Sequence, residues 1–340
     1  MLLLAAGCTG GVGPREPPPC TFDNPVAIGA DPWIVRHDGF YYLIESRSGG
    51  IYVYKSDELT VPKKNGVRVW TAPETGWNRT NVWAPELHLI NGAWHIYYAA
   101  GAAGPPFIQR SGVLTSLTAD PQGAYVDRGM IYTGDDLAGG TDNVWAIDLT
   151  VGRIAGQLYA VWSGWEANRS TDRTPQHLYI AQMSDPRTIA SARVRISSPD
   201  QIWERGTELD LNEGPQFLFR DDHVFIIYSA RESWLPDYRL GQLQLSRPDA
   251  DPLDPVSWVK TGPVFTGTGG VHGVGHASFT TSPDSMEDWI VYHAKISPAP
   301  GWERVIRMQK FGWRADGSPD FGTPVASGER IPLPSGQCAQ

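Results

Sequence analysis

Short runs in which aromatic and aliphatic positions lead into a small or polar one recur along the chain at nearly constant spacing. Five are legible: Tyr42-Leu43-Ile44-Glu45-Ser46, His95-Ile96-Tyr97-Tyr98-Ala99, Tyr159-Ala160-Val161-Trp162-Ser163, Phe225-Ile226-Ile227-Tyr228-Ser229 and Trp289-Ile290-Val291-Tyr292-His293. Successive copies lie 53 to 66 residues apart, and Asn81-Val82-Trp83-Ala84 returns as Asn143-Val144-Trp145-Ala146 after 62. Each run has the length of a strand, not of a helix, and turn-forming residues follow it. A strand-and-turn repeat of this size belongs to a propeller blade, where radial repetition protects the sheet edges. The expected fold is all-β, a five-bladed β-propeller spanning residues 20–340 as one domain, with residues 1–19 as a leader and tether.

Equivalent positions on successive blades lie on a ring around one axis, so residues distant in sequence meet at the centre. The places 14 to 16 residues before the fourth residue of each run hold Asp31, Trp83, Asp148, Glu213 and His276. Asp31 precedes Pro32, which favours an extended backbone and aims the carboxylate. Asp148 sits in Trp145-Ala146-Ile147-Asp148-Leu149, too apolar a strand to hold an acid without a partner. Glu213 is followed by Gly214-Pro215, which permits close approach to a ligand. Two carboxyl groups flanking a bond are the equipment of glycoside hydrolysis, one protonating the departing oxygen and one activating water. A third carboxylate beside the acid raises its pKa and keeps it protonated.

Composition narrows the partners. The formal net charge of −9 argues against nucleic acid and anionic membrane surfaces. Fourteen Trp and thirteen Tyr supply flat apolar faces for sugar rings as well as for core packing. No apolar run is long enough to span a membrane, and no Cys or His cluster has zinc spacing. The start, Met1-Leu2-Leu3-Leu4-Ala5-Ala6-Gly7-Cys8, is similar to the end of a bacterial lipoprotein signal, which makes Cys8 a candidate lipid anchor. Cys20 and Cys338 then bracket the propeller, and in an exported protein they are expected to pair. The protein is expected to be exported, whether secreted, periplasmic or anchored at the bacterial cell envelope, and to act as a monomer.

Taken together, Asp31 in Ala30-Asp31-Pro32, Asp148 in Trp145-Ala146-Ile147-Asp148, Glu213 in Asn212-Glu213-Gly214-Pro215 and His276 in Gly275-His276-Ala277-Ser278-Phe279 resemble glycoside hydrolase family 43. The resemblance covers roughly residues 22 to 335. It implies a five-bladed propeller and an inverting mechanism, with Asp31 as general base, Asp148 as modulator and orienter of the acid, and Glu213 as general acid. Asn81-Val82-Trp83-Ala84-Pro85-Glu86, Tyr228-Ser229-Ala230 with Trp234-Leu235-Pro236-Asp237-Tyr238, and Gln309-Lys310-Phe311 look like the α-L-arabinofuranosidase branch. Arg307 stands where the family usually has an arginine that reaches the sugar and the base. Trp83, Trp145 and Asn143 are the other candidates for holding substrate. The resemblance also implies an ion, most often calcium, held in the central channel by His276 and a shell of water; no cofactor is required for the chemistry.

The expected function is release of terminal α-L-arabinofuranose from plant cell-wall arabinan or arabinoxylan. Endo-1,5-α-L-arabinanase and β-xylosidase activities share this fold and mechanism and remain as alternatives. From a different class comes a non-catalytic carbohydrate-binding propeller, which is disfavoured because none of the three acids has been replaced by an amide.

Overall fold

A computed structural model describes residues 20–102, 108–140, 142–169, 171 and 173–338. Five antiparallel sheets follow one another along the chain. Blade 1 comprises Trp33–His37, Phe40–Arg47, Gly50–Ser56 and Val67–Thr71. Blade 2 comprises Thr80–Ile90, Ala93–Gly101, Gln109–Ser116 and Tyr125–Met130. Blade 3 is built on Ala146–Ile154, Gln157–Gly164 and His177–Asp185, with Thr188–Ile189 and Val194–Ser197 on its outer edge. Blade 4 comprises Asn212–Arg220, His223–Ala230, Arg239–Leu245 and Trp258–Thr266. Blade 5 comprises His272–Thr281, Asp288–Lys295 and Arg304–Trp313.

All five repeated runs are second strands, and they are buried on both faces. Their rings pack between neighbouring blades: Tyr97 and Trp162 share one cluster, Tyr228 lies in the next, and Phe225 and Tyr292 in the one after. Two further clusters join blade 1 to blades 2 and 5, closing the circle of cores. Burying one such side chain contributes roughly 1.5–3 kcal/mol, so the repeat is the main store of fold stability. Tight turns join first strands to second strands. At Asn91-Gly92 both residues have positive φ, 53° and 81°, the conformation that matches strand twist in a two-residue hairpin.

Blade 5 takes its outermost strand from the other end of the chain. Ala27–Ile28 pairs with Ile306 and Val305, and Thr21–Asp23 pairs with Arg330–Pro332 beside it. The expected disulfide is present: Cys20 and Cys338 are bonded, with Cα atoms 5.6 Å apart. Ring closure is thus made by strand pairing and a covalent link together. Residues 1–19, including Cys8, lie outside the described residues.

Candidate active site

Four of the five first strands carry a break in their pairing register near the axis, and each break holds or adjoins a ring residue. The breaks fall between Ile147 and Thr150, Glu213 and Gln216, Gly275 and Ser278, and on both sides of Trp83. Asp148 (φ 54°) and His276 (φ 46°) lie inside such bulges with left-handed backbones, as does Gly214 (φ 54°) beside Glu213. Asp31, just before its strand, has φ 49°. For residues with a Cβ this conformation costs about 1–3 kcal/mol each, and bulges of this kind re-aim side chains. Here they turn all three acids toward one pocket.

That pocket has a volume of about 530 Å³, and Asp31, Asp148, Glu213 and His276 line it together with Trp83 and Trp145. Asp31 is half-buried. Its Oδ1 lies 3.1 Å from His293 Nδ1, 3.3 Å from His276 Nδ1 and 3.3 Å from Arg304 Nη1. Burial would raise its pKa, but Arg304, His276 and His293 outweigh burial and hold the carboxyl well below the usual carboxylate range. These contacts favour the ionised form of Asp31.

Asp148 and Glu213 shift the other way. Burial raises both, and the negative charge of Asp31 adds to it in each case. Asp148 Oδ2 accepts the Gly214 N–H at 2.9 Å, and that bond and His276 both favour its ionised form. Glu213 faces the further charge of Glu232, with Arg304 and Tyr238 opposing. Both carboxyls thus lie well above the usual range, and the pair retains a proton near neutral pH. Tyr238 donates to Glu213 Oε1 at 2.8 Å.

Two of the residues expected to hold substrate are placed elsewhere. Asn143 braces its own loop: its Oδ1 accepts from Thr133 N and Oγ1, and its Nδ2 donates to Ile131 O. Arg307 is buried, donating to Ser327 Oγ and Val325 O. The cation at Asp31 is Arg304. Side chains alternate across a strand, so residues 304 and 307 face opposite sides, and only the former looks into the pocket. Trp83 and Trp145 do wall it. Trp145 stacks on Trp165 with ring centroids 4.7 Å apart and planes 3° from parallel, and Trp165 lines the pocket too. Trp234 and the exposed Trp302, 5.1 Å apart, form another part of the wall. Trp165, Trp302 and Arg304 were not singled out from sequence, and Trp234 only as the start of the Trp234–Tyr238 motif. Arg304 opens the third strand of blade 5.

Replacing Arg304 with Ala is expected to lower kcat/KM on the order of 100-fold through misplacement of Asp31 and to move the acidic limb of the pH profile upward. Arg307→Ala should leave that limb in place. Equal limbs for the two variants would refute the assignment.

Further along the axis, Gln216 Nε2 donates to Glu86 Oε1, and Glu86 Oε2 lies 2.8 Å from His88 Nε2. Burial pushes Glu86 up to about 8 and His88 down to about 3. Near neutral pH the contact is thus a neutral hydrogen bond given by Glu86. Among the described residues no three His, Cys, Asp or Glu side chains gather as metal ligands. His276 Nδ1 is engaged with Asp31, so the donor set fits calcium, an oxygen-seeking ion, poorly.

The buried acid has a consequence for stability. Between its ordinary pKa of 4.5 and about 8, Glu86 keeps a proton in the folded protein that the unfolded chain has lost. Stability therefore falls with rising pH across that window. His88 acts oppositely, but only up to its ordinary 6.5. The melting temperature is expected to fall from pH 6.5 to 8, and Glu86→Gln to flatten the decline by roughly 1 kcal/mol per pH unit. Calorimetry of the two proteins across that range checks it.

Comparison with known proteins decides the family. The model of glycosyl hydrolases family 43 matches residues 22–319. The chain belongs to this family. Family 43 relatives include alpha-L-arabinofuranosidase 43 of Humicola insolens, 36% identical over 88% of this chain and 62% of its own. The extracellular exo-alpha-(1->5)-L-arabinofuranosidase of Streptomyces avermitilis is 34% identical over 96% of this chain and 69% of its own. The chain thus spans about two thirds of the length of these relatives. The crystal structure of an alpha-L-arabinofuranosidase from Lactobacillus brevis superposes with a TM-score of 0.81 at 30% identity, covering 91% of this chain and 98% of that one.

Proposed function

We propose that this family 43 protein is an exo-acting α-L-arabinofuranosidase that releases terminal arabinofuranose from arabinan or arabinoxylan with inversion. One observation carries the reading: Asp31, surrounded by Arg304 and two imidazoles that hold it low, and Glu213, which burial pushes up, line the same pocket. Environments that push the pKa values of two like groups apart assign the acid and the base. Asp31 takes a proton from water as the water oxygen bonds to the anomeric carbon. Glu213 gives its proton to the glycosidic oxygen as the bond to that carbon breaks. Asp148, beside Glu213, keeps the acid charged with its proton and holds Gly214. Trp83 and Trp145 offer apolar faces to the sugar.

The pocket has the dimensions of a small-ligand site, which favours release of one terminal sugar over cleavage within a polymer. The named activities of the relatives support the same choice. The Cys20–Cys338 bond and the extracellular Streptomyces relative support export. A monomer, and lipidation at Cys8, complete the reading; intact mass and size-exclusion measurements on the native protein test both.

Parallel assays on an aryl α-L-arabinofuranoside, an aryl β-D-xyloside and linear arabinan test specificity. Rapid release from the first, with single arabinose units from the third, is expected. Proton NMR of the first-formed sugar should show the inverted anomer; a retained anomer overturns the mechanism. A calcium ion at His276 would be an accessory, since Asp31 already activates water. Because the donor set at His276 fits calcium poorly, EDTA is expected to leave the melting temperature and turnover essentially unchanged, and complete reversible loss of turnover in a folded protein would contradict this.

A further inference from the structure

Behind Glu213 stand two buried hydroxyls, those of Tyr238 and Ser229. The His276 backbone N–H donates to Ser229 Oγ at 2.8 Å. A backbone N–H can only donate, so this bond occupies a lone pair of Ser229 and leaves its O–H to be given elsewhere. Ser229 acts on the Tyr238 phenol as a donor would, favouring its ionised form, and Tyr238 donates to Glu213 Oε1 at 2.8 Å. Ser229 and Tyr238 are both fully buried, so water is no alternative partner for either. The Tyr238 proton is the one given to the acid.

The fold holds Tyr238 in this place from several sides. Its ring lies against His293, with centroids 5.3 Å apart and planes 8° from parallel. His293 Nδ1 is itself 3.1 Å from both the backbone N and Oδ1 of Asp31. A Cβ on Gly275 would stand 2.2 Å from the Tyr238 ring, so a side chain at that position would displace it. Ser229, for its part, ends the repeated second strand of blade 4, opposite Glu213 in the sheet register.

A carboxylic acid can carry its proton on either oxygen, and only one of the two can face the leaving group. We infer that Ser229 and Tyr238 are positioning residues that reserve Glu213 Oε1 as an acceptor and so confine the transferable proton to Oε2. The inference rests on Glu213 being the general acid. When the Oε2–H bond breaks and the proton passes to the departing oxygen, Glu213 becomes a carboxylate. The Tyr238 bond then becomes charge-assisted, which stabilises the acid's product state.

Tyr238→Phe keeps the ring and its stack and removes only the hydroxyl. On arabino-oligosaccharides, whose leaving groups need the proton, kcat is expected to fall about 10-fold or more, within the range of general-acid effects. On an aryl arabinofuranoside with an acidic leaving group the loss should be far smaller, so the rate depends more steeply on leaving-group pKa. The basic limb of the pH profile should also move up, because the lost donor favoured ionised Glu213; Asp31, Asp148, Glu232 and Arg304, the other charges at that carboxyl, are unchanged. Ser229→Ala should produce a smaller change of the same sign. Equal losses on both substrates with an unmoved limb, or no loss at all, overturn the inference. Should Tyr238→Phe fail to fold, an unchanged leaving-group dependence in Ser229→Ala does the same. Absence of arabinose release by the unaltered protein would instead sink the proposed function, so the two failures are distinguishable.

Discussion

Glu213→Gln is expected to lose activity on natural arabinosides by about 10²–10⁴-fold, the range for loss of a general acid, while sparing much more of it on aryl substrates. The amide cannot protonate the departing oxygen. A sugar alkoxide leaves poorly without that proton, whereas a nitrophenolate leaves well alone. Asp31→Asn should cripple both substrate classes, because no leaving group compensates for water that is not activated. The environment of Asp31 sharpens the contrast: with Arg304 and two imidazoles around its Oδ1, an amide there would also lose charge-assisted contacts. Asp148→Asn withdraws a negative charge from beside Glu213 and should shift the basic limb toward acid. Profiles of kcat/KM against pH for the three variants, on a poor and a good leaving group, test all roles together. If Asp31→Asn were the variant rescued by the good leaving group, acid and base would have to be exchanged.

Removing the Cys20–Cys338 bond is expected to cost up to about 5 kcal/mol, the chain-entropy value for so long a loop, and to lower the melting temperature on the order of 5 to 10 °C. The bond closes a loop of sequence separation 318. It also fastens the pairing of Thr21–Asp23 with Arg330–Pro332 and, next to it, of Ala27–Ile28 with blade 5. Opening the ring at this seam frays the segment that leads into Asp31, and with it the contact to Arg304 from the adjacent strand. Thermal inactivation of the Cys20→Ser/Cys338→Ser protein should accordingly begin with loss of activity ahead of loss of sheet signal. An unchanged melting temperature would mean that strand pairing alone closes the propeller.

Local order along the chain determined much of this protein. The alternation and spacing of five apolar runs specify five second strands, because a strand buried between two blades must be apolar on both faces. Counting back from those runs locates Asp31, Trp83, Asp148, Glu213 and His276, since strand lengths near the axis vary little from blade to blade. Cys20 and Cys338 were legible as a pair for the same reason, as the two ends of a closed ring. The tertiary structure decided what depends on register and on contacts between distant segments. Arg304 rather than Arg307 meets Asp31, because the offset of a third strand against its neighbour sets which alternate face looks inward. Asn143 serves its loop through Thr133, whereas Trp165, Trp234 and Trp302 reach the pocket from connections whose paths no periodicity describes. Tyr238 stands at hydrogen-bond distance from Glu213 because blade 5 packs Gly275 and His293 against blade 4. Sequence periodicity reports the burial of each strand, a local property, but the register and packing that join one strand to another are set by the closed ring as a whole.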